Sequence, residues 1–374
     1  MASISTISRS VKYGLHVAVT WPGTPLPIVR KFCWTIALVV LQICQYSYII
    51  THFASDSLID IADNLSITMA FTLLSIKLSI AWTHPRLVRL ILSTMEEECR
   101  KYAVLDTNNF ILKAANLSYR LTSFVVYTYI PAGAFHMFSA LVLQDSNTAS
   151  RALMLKMNLP FDPNESPIYE LVISVQIIYQ TMTAYTFGVF GALLLMIVLH
   201  IGCQIDVMCH TLMEVPYKSK EQLKFFISRH QEIIMFSHKI EKLFTYMALS
   251  QLLSNTLLIC TLGYILVIAI QMDNGFALLL KCIVFYIGVC LELFVYCYAG
   301  EYLSSKSQLI NDTAYKFLWY NLQPNEIRLL LLVILRSQKG FPLTFGKFAN
   351  LSLESFMSIM KVSASYMSVL LAMS

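Results

Sequence analysis

Seven apolar runs, near residues 33–53, 61–82, 120–143, 168–200, 249–272, 276–300 and 348–372, constrain this chain more than any other feature. A bilayer core of roughly 30 Å is crossed by about 20 helical residues at about 1.5 Å each. Within lipid the backbone polar groups of such a run must be satisfied inside the run, which selects the helix. Composition agrees, with 57% hydrophobic and 13% charged residues, where a soluble domain carries roughly a quarter charged. The sequence therefore predicts an all-α fold with seven transmembrane helices.

The formal net charge of +5 would suggest nucleic acid in a soluble protein; here it reports topology, and no nucleic-acid partner is expected. Arg9, Lys12, Arg30 and Lys31 lie before the first span, and Arg86, Arg89, Arg100, Lys101, Lys113 and Arg120 between the second and third. Lys218, Lys220, Lys224, Arg229, Lys239 and Lys242 lie between the fourth and fifth; Lys306, Lys316, Arg328, Arg336, Lys339 and Lys347 between the sixth and seventh. The opposite side holds only Arg151 and Lys156. Basic residues collect on the cytosolic side, so the N-terminus is expected inside and the C-terminus outside, the reverse of a G-protein-coupled receptor. Residues 1–25 hold Arg9, Lys12 and His16 and lack the apolar run of a cleaved signal peptide.

These spans divide the chain into a cytosolic segment 1–32, four spans in 33–200, a cytosolic helical extension 201–248, a two-helix hairpin 249–300, a cytosolic region 301–347, and the last span with an extracellular end, 348–374. Asp273-Asn274-Gly275 reads as the hairpin turn. Segments 84–104 and 220–246 carry apolar residues at helical spacing, among them Leu223, Phe226, Ile227, Ile233, Ile234, Phe236 and Ile240. They are expected to extend the spans as packed helices, with Pro216 and Pro324 marking helix starts or breaks. All nine cysteines fall in spans or on the inner side, which implies no extracellular disulfide. Asn64-Leu65-Ser66 and Asn164-Glu165-Ser166 are glycosylation sequons on the outer side.

His200, Cys203, Asp206, Cys209 and His210 have the residue types of a metal site. On one helix, however, Cys203 and Cys209 are about 600° apart and His200 and His210 about 15 Å. The pattern reads as a polar helix leaving the membrane, with no metal and no cofactor. No nucleotide loop, HExxH helix or ordered catalytic triad is present, so no enzyme is indicated. Lys77 and Lys281 lie near span ends, where a lysine snorkels to the headgroups. Glu292 and Lys361 lie deeper, and either neutralise one another or face water.

Tyr127, Tyr129, Phe135, Met137, Phe138, Tyr179, Tyr264 and Phe285, with Gln176 and Gln180, gather in the outer halves of the third to sixth spans. Such a set suits an apolar cavity with a few orienting hydrogen-bonding groups, and equally suits helix packing and interfacial anchoring. No carboxylate is in the set, so a small neutral ligand is expected. On the last span Ser358, Val362, Ser365, Tyr366, Val369 and Met373 fall on one stripe at about 100° per residue.

The C-terminal region resembles the insect odorant receptor family. The resemblance runs from Phe294-Val-Tyr-Cys297-Tyr-Ala-Gly300-Glu301-Tyr-Leu303 through Ser307-Gln-Leu309, Ala314-Tyr315, Trp319-Tyr320 and Arg328. It continues through Arg336-Ser337-Gln338-Lys339, Gly346-Lys347-Phe348, Ser352-Leu353 and Phe356 to Lys361, Ser365-Tyr366 and Leu370. Residues 229–264 match more loosely, and the first 200 mainly in span placement. The resemblance implies a tetrameric, odorant-gated, non-selective channel for monovalent and divalent cations in the plasma membrane of sensory neurons. Each last helix would line the pore, the cytosolic region 301–347 would anchor the subunits, and an odorant pocket would lie in the outer half. It places a narrow gate at Val369 and Met373, with Ala372 between them where the co-receptor carries a glutamine. The co-receptor also has a long insertion between the fourth and fifth spans, whereas 201–248 is compact here, which implies a ligand-tuning subunit that assembles with the co-receptor. The sister gustatory receptors carry a TYxxxxxQF motif in the last helix; Ser365-Tyr366 through Met373 lacks its Thr and its Gln-Phe. A gustatory-type channel and a transporter remain the alternative readings.

Overall fold

A computed structural model describes residues 6–103, 106, 108–142, 153–163, 165–214, 220–272, 275–317, 319–341 and 343–373. Among these, α1 spans Arg9–Val17, α2 Pro27–His52, α3 Leu58–Thr83, α4 Pro85–Tyr102, α5 Phe110–Val142 and α6 Ile168–Glu214. They are followed by α7 Lys220–Gln271, α8 Phe276–Lys316, α9 Pro324–Ser337 and α10 Leu353–Met373. The seven apolar runs fall in α2, α3, α5, α6, α7, α8 and α10. Five of these (α2, α3, α6, α7 and α8) are long and apolar enough to cross a membrane by length and composition among the described residues.

Local chemistry sets several helix starts. The Ser57 hydroxyl accepts from the Asp60 amide at 3.2 Å at the head of α3. Both Asp106 carboxylate oxygens accept from first-turn amides of α5, Phe110 at 2.7 Å and Ile111 at 2.8 Å. Pro324 opens α9 behind Gln323, whose amide donates to Glu326 at 3.1 Å in a capping box. Pro324 is thus a helix start, as expected; Pro216, Asp273, Asn274 and Asn164 lie outside the described residues.

The inner extensions are continuous with the spans: α6 runs to Glu214, α7 begins at Lys220 and α8 continues to Lys316. Helix α5, which holds the third apolar run, starts at Phe110, ten residues before that run, because the preceding polar turn caps it there. The last begins at Leu353 and not 348, because β1 (Thr344–Phe345) and β2 (Ala349–Asn350) form a short antiparallel hairpin just before it. Gly346 turns that hairpin at φ +56°, and its amide donates to the Thr245 carbonyl of α7 at 3.0 Å.

The core is centred on α6, where residues 189–199 are all buried. Helix α5 packs along α6, α8 lies between α6 and α7, α3 packs on α7, and α10 on α7 and α8. Gly300 lets α8 approach the chain entering α10, since a side chain there would collide with the Leu351 backbone. Helix α2 is peripheral: Leu38 and Gln45 are its buried residues, and Ile36, Val39, Val40 and Ile43 point outward.

Candidate ligand cavity and pore helix

The largely apolar wall of a cavity of about 110 Å³ is shared by α3, α5, α6, α7 and α8. Aromatic rings (Phe71, Tyr129, Phe135, Phe187 and Phe285) form its sides, while Ala70, Ala132, Gly133, Ala184 and Gly288 leave the space. At Gly288 a β-carbon would meet no atom within 4 Å, so this position opens onto the void.

Of the predicted ligand residues, Phe135, Gln180 and Phe285 line this cavity, as does Tyr129. Tyr127 and Phe138 do not; they are 57% and 64% exposed on the outer surface of α5. Gln176 is buried but committed, its amide accepting from Leu155 N at 3.3 Å and donating to Leu155 O at 3.2 Å. Tyr179 packs against Phe71, with ring centroids 5.1 Å apart, behind the wall. Met137 is buried without lining it, and Tyr264 belongs to a separate cluster with Ala62, Ile265 and Cys282. The helical faces explain this sorting: residues of one outer half-helix point in every direction, and aromatic character does not reveal which direction is inward.

Charges around the cavity correct three expectations. Lys77 does not snorkel; it is wholly buried and paired with the Glu292 carboxylate, which lines the cavity. The Lys77 ammonium also lies 4.2 Å from the Phe187 ring centroid and 5.3 Å from that of Tyr296. Glu292 therefore does not pair with Lys361, which is exposed on α10. Lys281 lines the cavity as well and, instead of reaching the headgroups, donates to Asp63 at 2.6 Å. The wall thus contains a carboxylate that the sequence set lacks, but its described charges are matched.

The sequence reading missed His136, Thr183, Phe187, Phe71 and Asn255 as wall residues. It had a usable signal for Asp63, which lies near the outer end of its span as Lys281 does.

On α10, Ser358, Val362, Ser365, Tyr366 and Val369 are exposed along one face. The opposite face is seated on α7: the Cys260 thiol donates to Ser363 O at 3.8 Å, and Gly263 makes room for Met367. Ala372 and Met373 are helical, but their side chains lie outside those described.

At the inner end, His200 joins a polar network, with no metal-type group among the described residues. Its Nε2 is 2.9 Å from Glu98 and its Nδ1 2.9 Å from Thr6 Oγ1. Arg229 donates to Glu98 at 2.9 Å, Glu232 at 2.6 Å and Gln204 at 2.7 Å, with its guanidinium 4.2 Å from the Tyr102 centroid. Burial raises the Glu98 pKa, but hydrogen bonds from His200 and Arg229 outweigh it and hold the carboxyl at about 2. His210 instead contacts Asn108 and Phe110. All nine cysteines are free. Asn64, the first residue of the sequon Asn64-Leu65-Ser66, is buried in the bundle.

The family model for the 7tm odorant receptors matches residues 57–364. Odorant receptor 82a of Drosophila melanogaster is 26% identical over 229 residues, covering 60% of this chain and 58% of that protein. Odorant receptor 13a of the same fly is 30% identical over 161 residues, covering 40% and 38%. The chain thus spans less than two thirds of these curated relatives. The solved structure of the insect olfactory receptor OR5 from Machilis hrabei in complex with eugenol is similar in fold, with a TM-score of 0.79 over 97% of each chain at 14% identity.

Proposed function

The chain belongs to the 7tm odorant receptor family, and from that premise we propose that it is the odorant-binding tuning subunit of a heteromeric odorant-gated cation channel. In this reading it is a multi-pass protein of the sensory neuron plasma membrane that forms a heterotetramer with the odorant receptor co-receptor. A small neutral organic odorant enters the cavity, and the exposed face of α10 lines a pore for monovalent and divalent cations.

The observation that carries this reading is the double contact of α7. Leu258 borders the cavity, and within the next two turns Cys260 and Gly263 seat α10. A ligand that displaces α7 therefore acts on the proposed pore helix without an intermediary. Neutrality of the ligand follows from the matched pairs Lys77–Glu292 and Lys281–Asp63: a charged ligand would be desolvated with no free counter-charge in the wall.

Assembly has its own support. Tyr315, Trp319 and Tyr320, with Leu329, Leu331, Leu332 and Leu335 of α9, expose large apolar side chains in the segment assigned to the cytosol. Lipid does not cover such a patch there, and neighbouring subunits would. The short connection between α6 and α7, residues 215–219, favours the tuning subunit over the co-receptor.

The test is whole-cell recording from cells expressing this chain with and without a co-receptor. Odorant-evoked cation current only in the pair supports the assignment. Robust current from the chain alone refutes the obligate tuning role, and activation only by amino acids, organic acids or quaternary amines refutes the neutral ligand.

A further inference from the structure

The cavity wall contains hydrogen-bonding groups that the protein itself uses and, on α6, two oxygens that it does not. Asn255 accepts from Gln251 at 2.7 Å and donates to Val289 O at 3.4 Å. Lys281 is held by Asp63 at 2.6 Å and Glu292 by Lys77. By contrast, Gln180 Oε1 and Thr183 Oγ1 are buried atoms of the wall without a hydrogen bond. The nearby Tyr179 hydroxyl approaches Thr183 without hydrogen-bond geometry. Gln180 and Thr183 stand at i and i+3 on α6, so they share a face about 5–6 Å apart, within reach of one small polar group.

A buried polar atom without a partner is costly, and native interiors rarely keep one that no ligand or water satisfies. We infer that this cavity selects ligands carrying a hydroxyl, an alcohol or phenol, whose O–H donates to Gln180 Oε1 while its oxygen accepts from Thr183 Oγ1. A hydroxyl both donates and accepts, and so fits either orientation of the Gln180 amide. With Oε1 buried in the wall, as Gln180 stands here, an ether, ester or aldehyde only accepts and leaves that oxygen bare. The rest of the wall fits the carbon part of such a molecule: Phe71, Phe135, Phe187 and Phe285 supply apolar contact. The void of about 110 Å³ is nearer to one that takes up a benzene ring, about 150 Å³, than to a drug-sized pocket of roughly 300–1,000 Å³. The ligand is therefore a short-chain or single-ring alcohol.

This inference rests on the odorant-cavity reading above, and its test separates the two. The full chain is recorded with the co-receptor, and the detergent-purified chain is assayed in parallel for ligand-induced thermal stabilisation. Both assays use primary alcohols of five to eight carbons and substituted phenols, against methyl ethers and alkanes of equal heavy-atom count. Alcohols or phenols should act at concentrations roughly tenfold or more below the matched ethers. Gln180→Leu and Thr183→Val should each shrink that preference severalfold while leaving responses to the apolar members, which also shows that the variants fold. Ethers equal to alcohols, or a preference unchanged in both variants, overturns the inference and leaves the channel reading standing. Hydroxyl-selective stabilisation without current upholds the inference and overturns the channel reading. Neither binding nor current across the panel overturns both.

Discussion

Lys77 of α3 and Glu292 of α8 form an ion pair inside the helix bundle, with 0% and 3% of their side chains exposed. Neither charge has water to fall back on, so each depends on the other, and the Phe187 and Tyr296 rings close the site. Removing one partner of a buried pair costs about 3–5 kcal/mol, whereas replacing both by apolar groups is often near neutral. Lys77→Met or Glu292→Gln should therefore lower the detergent melting temperature and surface level strongly, and Lys77→Met with Glu292→Leu should recover most of the loss. A double variant as unstable as the worse single one would show that the pair is not the source of the effect.

A pH dependence follows from His230, on the inner part of α7. Its ring is 3% exposed and packs by Phe341, with centroids 6.2 Å apart. Burial first, and the Arg336 charge second, push its pKa down from 6.5 to about 4. Above pH 6.5 the ring is neutral in the folded and unfolded chain and contributes nothing. Between 6.5 and 4 the unfolded chain takes up the proton first, so folding loses about 2 kcal/mol by pH 5. His230→Phe should flatten the fall in melting temperature between pH 7 and pH 5. Glu98 adds its own loss only further down, as pH drops below 4.5 toward its folded value of about 2. An unchanged slope in His230→Phe would remove the ring from the acid response.

Val369 is 55% exposed on the free face of α10. An apolar constriction closes by dewetting, so Val369→Ser with the co-receptor should raise basal current. Met373→Ser should raise it less, since that residue is nearer the open end of the helix. Surface-expressed variants with unaltered basal current and selectivity would take α10 out of the gate.

The seat of α10 gives a separate test. A β-carbon at Gly263 would lie 2.6 Å from the Met367 sulfur, the flexible end of that side chain. Gly263→Ala should be mild, while Gly263→Leu should abolish odorant-evoked current with ligand-induced stabilisation retained. Adding Met367→Ala should restore part of the current. Loss of stabilisation by ligand in Gly263→Leu would mean that the change reaches the cavity, and α7 would not divide the two roles.

Much of the fold was legible in the chain because span length and apolarity are properties of a single helix. The runs at 33–53 and 61–82 appear as α2 and α3 within a few residues, and the helical spacing at Leu223, Phe226 and Ile233 appears as the inner part of α7. The start of α10 was missed because the hairpin at Thr344–Asn350 is fixed by the bond from Gly346 to Thr245, about a hundred residues away in the chain. The cavity was legible in part. Phe135, Gln180 and Phe285 belong to it, but Tyr127 and Phe138 show that an aromatic residue at the right depth need not face inward.

The sequence by itself determined the helices, the side assigned to each connection, and the depth of every charge. Depth is set by counting residues along a helix at about 1.5 Å each, and by that measure both Lys77 and Lys361 lie within reach of Glu292. Which of them neutralises it depends on the rotation of α3, α8 and α10 about their own axes, and a helix with apolar residues on all sides does not encode that rotation. Packing decides it: Gly263 admits Met367 and Cys260 bonds to Ser363, which seats α10 on α7 with Lys361 outward, and the buried Lys77 is left to meet the carboxylate beside the cavity.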